Sequence, residues 1–358
     1  MTNMEASQRL LYIDRLKGIA IIIVVCGHFI QYNVADFKHN PLFSFIYSFH
    51  MPLFMFISGY VAHKTTSTKI FENYTSFLRK KLLSLLLPFF VWPLIVEKFF
   101  FVKDPDYNFV KTIIQLVTNP QGGLWFLWFL FFLVILHSVF LYFSNSFNAK
   151  NNLLLDALMC SVILGILCFI KYLDLINYID SFILYYIFFF LGIVISKYNY
   201  FTSYILRKGA FTIFLSIFIL LVGRYEFDNQ GKLNFAIKLI VALNAIFSLY
   251  YIVKSLHFNV LFEKFILLCG KNSIIIYTTH FTVIHLFTSQ YILPDLSFLL
   301  LILITLSFSL IIVGFCFLVF KIVELSPFLN LMLYGNHKEL FAKKPDNIII
   351  LSGTLIND

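Results

Sequence analysis

Apolar residues run along this chain in long blocks divided by short polar connections. The blocks fall at about 13–33, 42–62, 82–101, 122–144, 153–171, 182–197, 209–224, 235–253, 272–293 and 297–321. Each lies near the roughly 20 residues that a helix needs to cross the hydrocarbon core of a bilayer. Their interiors are continuous in Phe, Ile and Leu and lack the alternation of a barrel strand. An open sheet facing lipid would leave backbone groups without hydrogen bonds. The pattern therefore predicts an all-α, polytopic transmembrane bundle of about ten helices. After Phe320 the chain turns polar at Ser326-Pro327, Tyr334-Gly335-Asn336 and Lys343-Lys344-Pro345. Residues 1–321 read as one transmembrane domain and 322–358 as a short cytoplasmic tail, with no internal repeat and no linker dividing them.

Composition removes the other classes. Of 358 residues 60% are hydrophobic and 13% charged, against about 25% charged in soluble domains, and the mean hydropathy is +0.87. The 46 Phe and 20 Tyr are incompatible with a disordered chain, which is poor in aromatics. A net charge of +9 comes from scattered cations and not from the dense basic face that binds nucleic acid. Topology accounts for it. With the N-terminus inside, 19 of the 27 Lys and Arg fall on the cytoplasmic side and 8 outside, while the acids divide 9 and 9. That asymmetry of cations predicts both termini in the cytoplasm. Cys26, Cys160, Cys168, Cys269 and Cys316 lie in apolar blocks without CxxC or Cys/His spacing, so neither a disulfide framework nor a metal is expected. Arg9, Arg15 and Lys17 before an apolar block mimic a signal peptide, but no small-residue cleavage pattern follows Cys26-Gly27-His28. The first block is expected to stay as a helix.

Titratable side chains inside spans are costly and mark candidate function. His28 follows Lys17 by eleven residues, which returns a helix to within about 20° of its starting direction and separates the two by about 16 Å along the axis. An extended anionic ligand could pair its phosphate with Lys17 or Arg15 and reach His28 with its other end. In the plainer alternative, Lys17 anchors the helix at the interface and His28 hydrogen-bonds a neighbouring helix. His50 precedes Pro52, which frees the Ser48 carbonyl, while Ser58 and Gly59 permit close helix approach. Residues 49–60 thus fit either a kinked packing helix or a wall of a cavity shared with His28. Arg79, Lys80 and Lys81 form a juxtamembrane basic cluster that fits phosphate binding, an orientation signal or contact with anionic lipid. Gly122-Gly123-Leu124-Trp125-Phe126-Leu127-Trp128 reads as an outer aromatic belt. Gly270-Lys271-Asn272-Ser273 reads as a helix start capped by Asn272 or Ser273, with Tyr277 and His280 on one face. His285 and Glu97 read as interfacial. No GxSxG, Walker or HExxH pattern occurs.

These residues together resemble a known family. Tyr12-Ile13-Asp14-Arg15-Leu16-Lys17-Gly18-Ile19-Ala20 followed by His28 is similar to the opening of the membrane-bound acyltransferase 3 family, whose signature is a basic residue, ten others and a His. Phe49-His50-Met51-Pro52 with Phe56-Ile57-Ser58-Gly59-Tyr60 resembles the second-helix motif of its fucose 4-O-acetylase-like branch. Leu124-Trp125-Phe126-Leu127 and Ser273–His280 look like family segments, and the resemblance extends from about Tyr12 to about Phe320. It implies transfer of an acyl group, usually acetyl from acetyl-CoA, to a hydroxyl of a bacterial surface glycan or its lipid-linked precursor. The setting it implies is the bacterial inner membrane. It assigns the catalytic role to His28, acting as general base on the sugar hydroxyl. His50, Ser58, Tyr277 and His280 are candidates to stabilise the oxyanion. Arg15, Lys17, Arg79, Lys80 and Lys81 are candidates to hold the CoA phosphates. The family's Arg-x-x-Arg pattern is incomplete here, because Arg79 is followed by Lys80, Lys81 and Leu82. The competing class is a transporter or flippase of a lipid-linked saccharide, which buried polar groups and a kinked helix would also serve. A non-catalytic membrane sensor is a further alternative, although no extramembrane domain is expected to receive a signal.

Overall fold

The computed structural model describes residues 3–66, 74–101, 108–120, 124–146, 152–229, 231–287 and 297–336. It is all-helical, and no strand occurs among the described residues. The helices are α1 (Asn3–Asn33), α2 (Pro41–Thr66), α3 (Tyr74–Lys81), α4 (Leu87–Val91), α5 (Phe109–Thr118), α6 (Trp125–Ser146), α7 (Leu153–Tyr172) and α8 (Ile179–Lys197). After them come α9 (Asn199–Ile205), α10 (Lys208–Val222), α11 (Lys232–Ser255), α12 (Val260–Lys271), α13 (Ser273–Phe287), α14 (Phe298–Glu324) and α15 (Pro327–Tyr334). Six of them, α2, α6, α7, α8, α11 and α14, are long and apolar enough to cross a membrane. A seventh crossing results if α9 and α10, bent by 71°, are taken together. This is a multi-pass membrane protein.

Local chemistry sets the ends. Pro41 opens α2, where its missing N–H is no loss, and Asn40 Oδ1 accepts from the Leu42 and Phe43 backbone N–H groups at 3.0 and 3.2 Å. Asn152 and Asn259 cap α7 and α12 in the same way. The chain from Tyr74 to Phe101 is helical throughout but wound wide over Leu82–Leu86 and Trp92–Phe101. Pro88 and Pro93 each remove a hydrogen-bond donor from that helix, and widened turns accommodate the loss.

Two glycine contacts position the helices that matter most. A Cβ on Gly59 would lie 1.9 Å from the Phe189 carbonyl oxygen, and one on Gly192 2.0 Å from that of Phe56, so α2 and α8 touch backbone to backbone. Gly18 and Gly270 do the same for α1 and α12, facing the carbonyls of Ile266 and Asp14. The sequence-based expectation that Gly59 permits close approach is met. By contrast α7 is buried over only 11% of its apolar window. Its Asp156 tethers it to α8 by an ion pair with Lys197 at 2.7 Å and accepts a hydrogen bond from Tyr198 at 2.7 Å.

One boundary differs from the sequence reading. The segment 256–271, expected to be a connection, contains α12, because Asn259 caps an amphipathic turn that packs on α1. Asn272 accordingly joins α12 to α13 as well as preceding Ser273. Past α14 the chain folds back: the Trp92 indole donates to the Leu333 carbonyl at 2.7 Å, and Thr279 and Tyr334 share a hydrogen bond at 3.0 Å. Gly335, at φ 65°, ends α15 with its Cα against Leu83 and Ser84.

Candidate active site

Two cavities lie within the bundle. One, of about 540 Å³, carries Lys17, Lys81 and Lys271 together with Ser58, Ser84 and Asn336 over an apolar floor that includes Phe54, Phe126 and Leu130. The other, of about 780 Å³, is walled by Trp125, Tyr185, Tyr47, Tyr32, Phe227 and Phe281 and holds His28, His50, Gln31, Glu97 and Lys238. Tyr277 lines both. The basic cavity and the aromatic cavity therefore meet at a single phenol ring. The Tyr277 oxygen accepts from the Phe126 backbone N–H at 3.3 Å, which leaves its own proton to donate.

Helix α1 supplies both ends of the arrangement. Lys17 faces the basic cavity and His28 the aromatic one, as their shared face and three-turn separation require. The imidazole of His28 lies 4.4 Å, centroid to centroid, from the Phe281 ring and 5.2 Å from the His280 ring. Its Nδ1 is 2.9 Å from Gln31 Oε1, which also accepts from the Tyr47 hydroxyl at 3.0 Å. With Gln31 Oε1 as acceptor, Nδ1 carries the hydrogen and Nε2 keeps a lone pair, the form that a general base needs.

His50 and His280 obey the same logic. Each donates from Nδ1 to the carbonyl four residues earlier, His50 to Ile46 at 2.9 Å and His280 to Ile276 at 3.0 Å. Their Nε2 atoms are therefore acceptors. The His280 Nε2 is buried and has no hydrogen-bond partner among the described residues. As neutral rings in this tautomer, neither His50 nor His280 offers an N–H from Nε2, whereas the Tyr277 hydroxyl retains a proton to donate.

A search of solved structures finds no match. The sequence matches the acyltransferase 3 family, described as an acyltransferase domain, over residues 10–321. The chain belongs to the acyltransferase 3 family. Among curated proteins it is similar to "Nodulation protein NolL" of Mesorhizobium japonicum, at 34% identity over 143 residues, 38% of this chain and 38% of that protein. It is equally similar to "Nodulation protein NolL" of Sinorhizobium fredii, at 34% over 151 residues, 39% of this chain and 38% of that one. The match thus spans about two fifths of these relatives.

Within this acyltransferase 3 member the expected site residues separate into groups. His28, His50 and Tyr277 line the aromatic cavity, and His280 packs against His28 behind it. Lys17 and Lys81 line the basic cavity. Arg15 instead pairs with Glu263 of α12 at 2.5 Å and lines neither cavity. Arg79 and Lys80 are exposed on α3, also outside both linings. Ser58 lies in the basic cavity and not beside His28. Leu124 and Trp125, read as part of an outer aromatic belt, also wall the aromatic cavity, where Phe126 of α6 meets Tyr277; Gly122 and Gly123 lie outside the described residues. Glu97 and His285, expected at the interface, also line that cavity, His285 against the Tyr32 ring at 5.1 Å. Sequence reasoning assigned no site role to Gln31, Tyr47, Lys238 and Lys271. For Lys271 a signal was present, a lysine between two helices directly beside Gly270, whose backbone touches α1 at Asp14.

Proposed function

We propose that this chain transfers an acetyl group from acetyl-CoA to a hydroxyl of a bacterial cell-surface glycan or its lipid-linked precursor. The observation that carries the reading is the pair of cavities, one basic and one aromatic, that share Tyr277 and are joined along α1 by Lys17 and His28. Three lysines at one mouth suit the phosphates of CoA. Ring walls such as Trp125 stacked on Tyr185, centroids 4.9 Å apart and planes at 22°, suit the faces of a sugar.

In this reading the phosphates rest among Lys17, Lys81 and Lys271, and the thioester arm extends past Tyr277 toward His28. The His28 Nε2 takes the proton of the sugar hydroxyl as its oxygen attacks the thioester carbonyl carbon. The hydroxyl of Tyr277 donates to the developing oxyanion, and its own oxygen is held by Phe126 N–H. The C–S bond then breaks, the thiolate takes back the proton from the imidazolium, and an ester and free CoA leave. Gln31 and Tyr47 hold His28 in the tautomer this requires.

The membrane placement proposed is ten crossings with both termini cytoplasmic, in the bacterial inner membrane. It is supported by the helix order, in which α1, the Tyr74–Phe101 segment, α10 and α13 supplement the six long apolar helices, and by the cation asymmetry. Donor phosphates then bind on the cytoplasmic side and the acceptor on the outer side. The test is incubation of purified protein with radiolabelled acetyl-CoA and cell-envelope glycolipid. Label is expected in a saccharide, and His28→Ala is expected to reduce its rate at least about a hundredfold at equal expression. A fully active variant would remove His28 from the mechanism, and saccharide movement without covalent change would favour a transporter.

A further inference from the structure

Among the described residues, the aromatic cavity contains a cation without a counter-ion. Lys238 belongs to α11 and lines the cavity with His50, Tyr47 and Phe227. Its ammonium sits over the Tyr225 ring, 5.4 Å from the centroid. Among the described residues no carboxylate lies within 4.0 Å of it. The acids just before α11 are engaged elsewhere: Asp228 pairs with Lys38 at 3.2 Å, and Glu226 accepts from Asn229 at 3.3 Å. The cavity's own carboxylate, Glu97, is on the side of Tyr32 and Lys98.

An ammonium drawn among aromatic rings loses hydration, and a single ring face returns only part of it. Such a position is stabilised by an anion that arrives with the ligand. Snorkelling alone would turn the head outward to water, yet here the side chain lines the ligand-sized space itself. We propose that the saccharide bound in the aromatic cavity is anionic, with a carboxylate or phosphate group paired to Lys238. The inference rests on the transferase reading for the identity of the cavity as acceptor site. The residue positions the acceptor; its pairing on the His50 side leaves the hydroxyl to be acylated near His28.

The test is equilibrium binding to the full-length protein in neutral detergent at low salt, with three probes. These are p-nitrophenyl β-glucoside, p-nitrophenyl β-glucuronide and citronellyl diphosphate. At least one acidic probe is expected to bind tenfold or more tightly than the neutral glucoside. Lys238→Met is expected to abolish that preference while leaving affinity for the neutral glucoside and for acetyl-CoA within about twofold, and Lys238→Arg to retain it. A preference for the glucuronide assigns the charge to the sugar, and one for the diphosphate to the lipid carrier. Equal affinity for acidic and neutral probes, no binding of either acidic probe, or a preference that survives Lys238→Met overturns the proposal. Acetyl-CoA is titrated separately, so absence of donor binding with the Lys238-dependent preference intact would sink the transferase reading and leave the anion site standing.

Discussion

Three imidazoles in and beside the aromatic cavity are set by what their Nδ1 atoms touch. For His50 and His280 the partner is a carbonyl of the preceding helical turn, so any helix would provide it. For His28 the partner is Gln31, itself oriented by Tyr47 from α2. That dependence is specific to the tertiary arrangement and can be broken without disturbing a helix. Gln31→Ala is expected to lower kcat about tenfold, the order of one hydrogen bond's worth of about 0.5–1.5 kcal/mol, with KM for acetyl-CoA unchanged in steady-state assays. An unaltered kcat would mean that the tautomer of His28 is fixed by something else. A similar single-residue test applies at the other cavity, where Lys271→Ala is expected to raise KM for acetyl-CoA about tenfold or more, in line with the about 1.5–3 kcal/mol of a hydrogen bond to a charged group, at unchanged kcat. The spacing of Lys17 and His28 made α1 legible from the sequence, because both residues lie on one helix and the period alone relates them. Gln31 was not legible as an orienting group, since its role depends on Tyr47 arriving from another helix, and a linear pattern does not encode helix crossings.

Helix crossings depend here on small residues. The contact of Gly59 with Phe189 and of Gly192 with Phe56 brings α2 against α8, and so places His50 of α2 and Tyr185 of α8 on the same cavity. Gly59→Ala introduces a methyl group where a carbonyl oxygen stands 1.9 Å away. The helices must separate, with a cost of about 1–3 kcal/mol, and the thermal midpoint in detergent is expected to fall; an unchanged midpoint would show that α8 can slide. The sequence made the Gly59 half of this contact visible, through Ser58-Gly59 in a span. Gly192 looks like any other small residue in an apolar run. The ten apolar blocks located nearly every long helix, because hydrophobic length is a local property. They missed α12, whose apolar residues cover one stripe over only twelve positions, and they gave no sign that α15 returns to cover the basic cavity through Tyr334.

At the scale of the whole molecule the proposed orientation sets the chemistry in order. In the proposed mechanism donor and acceptor approach along opposite ends of α1 and never share an entrance. In a cysteine-free background, cysteine placed at Asp228, before α11, is expected to react with a membrane-impermeant maleimide in intact cells. Cysteine at Lys208, the first residue of α10, is expected to react only after lysis. The reverse pattern would invert the topology and place the CoA site outside the cell. The same arrangement has an electrical meaning. Where two wet cavities approach one another from opposite faces, the membrane potential no longer falls over the full hydrocarbon thickness of about 30 Å. It is concentrated where they meet, at Tyr277. Under the proposed orientation that ring is an insulator as well as a hydrogen-bond donor: a voltage drop worth about 2.3 kcal/mol per unit charge at 100 mV is borne by a few ångströms of phenol, so the thioester arm has to enter without opening a path for protons.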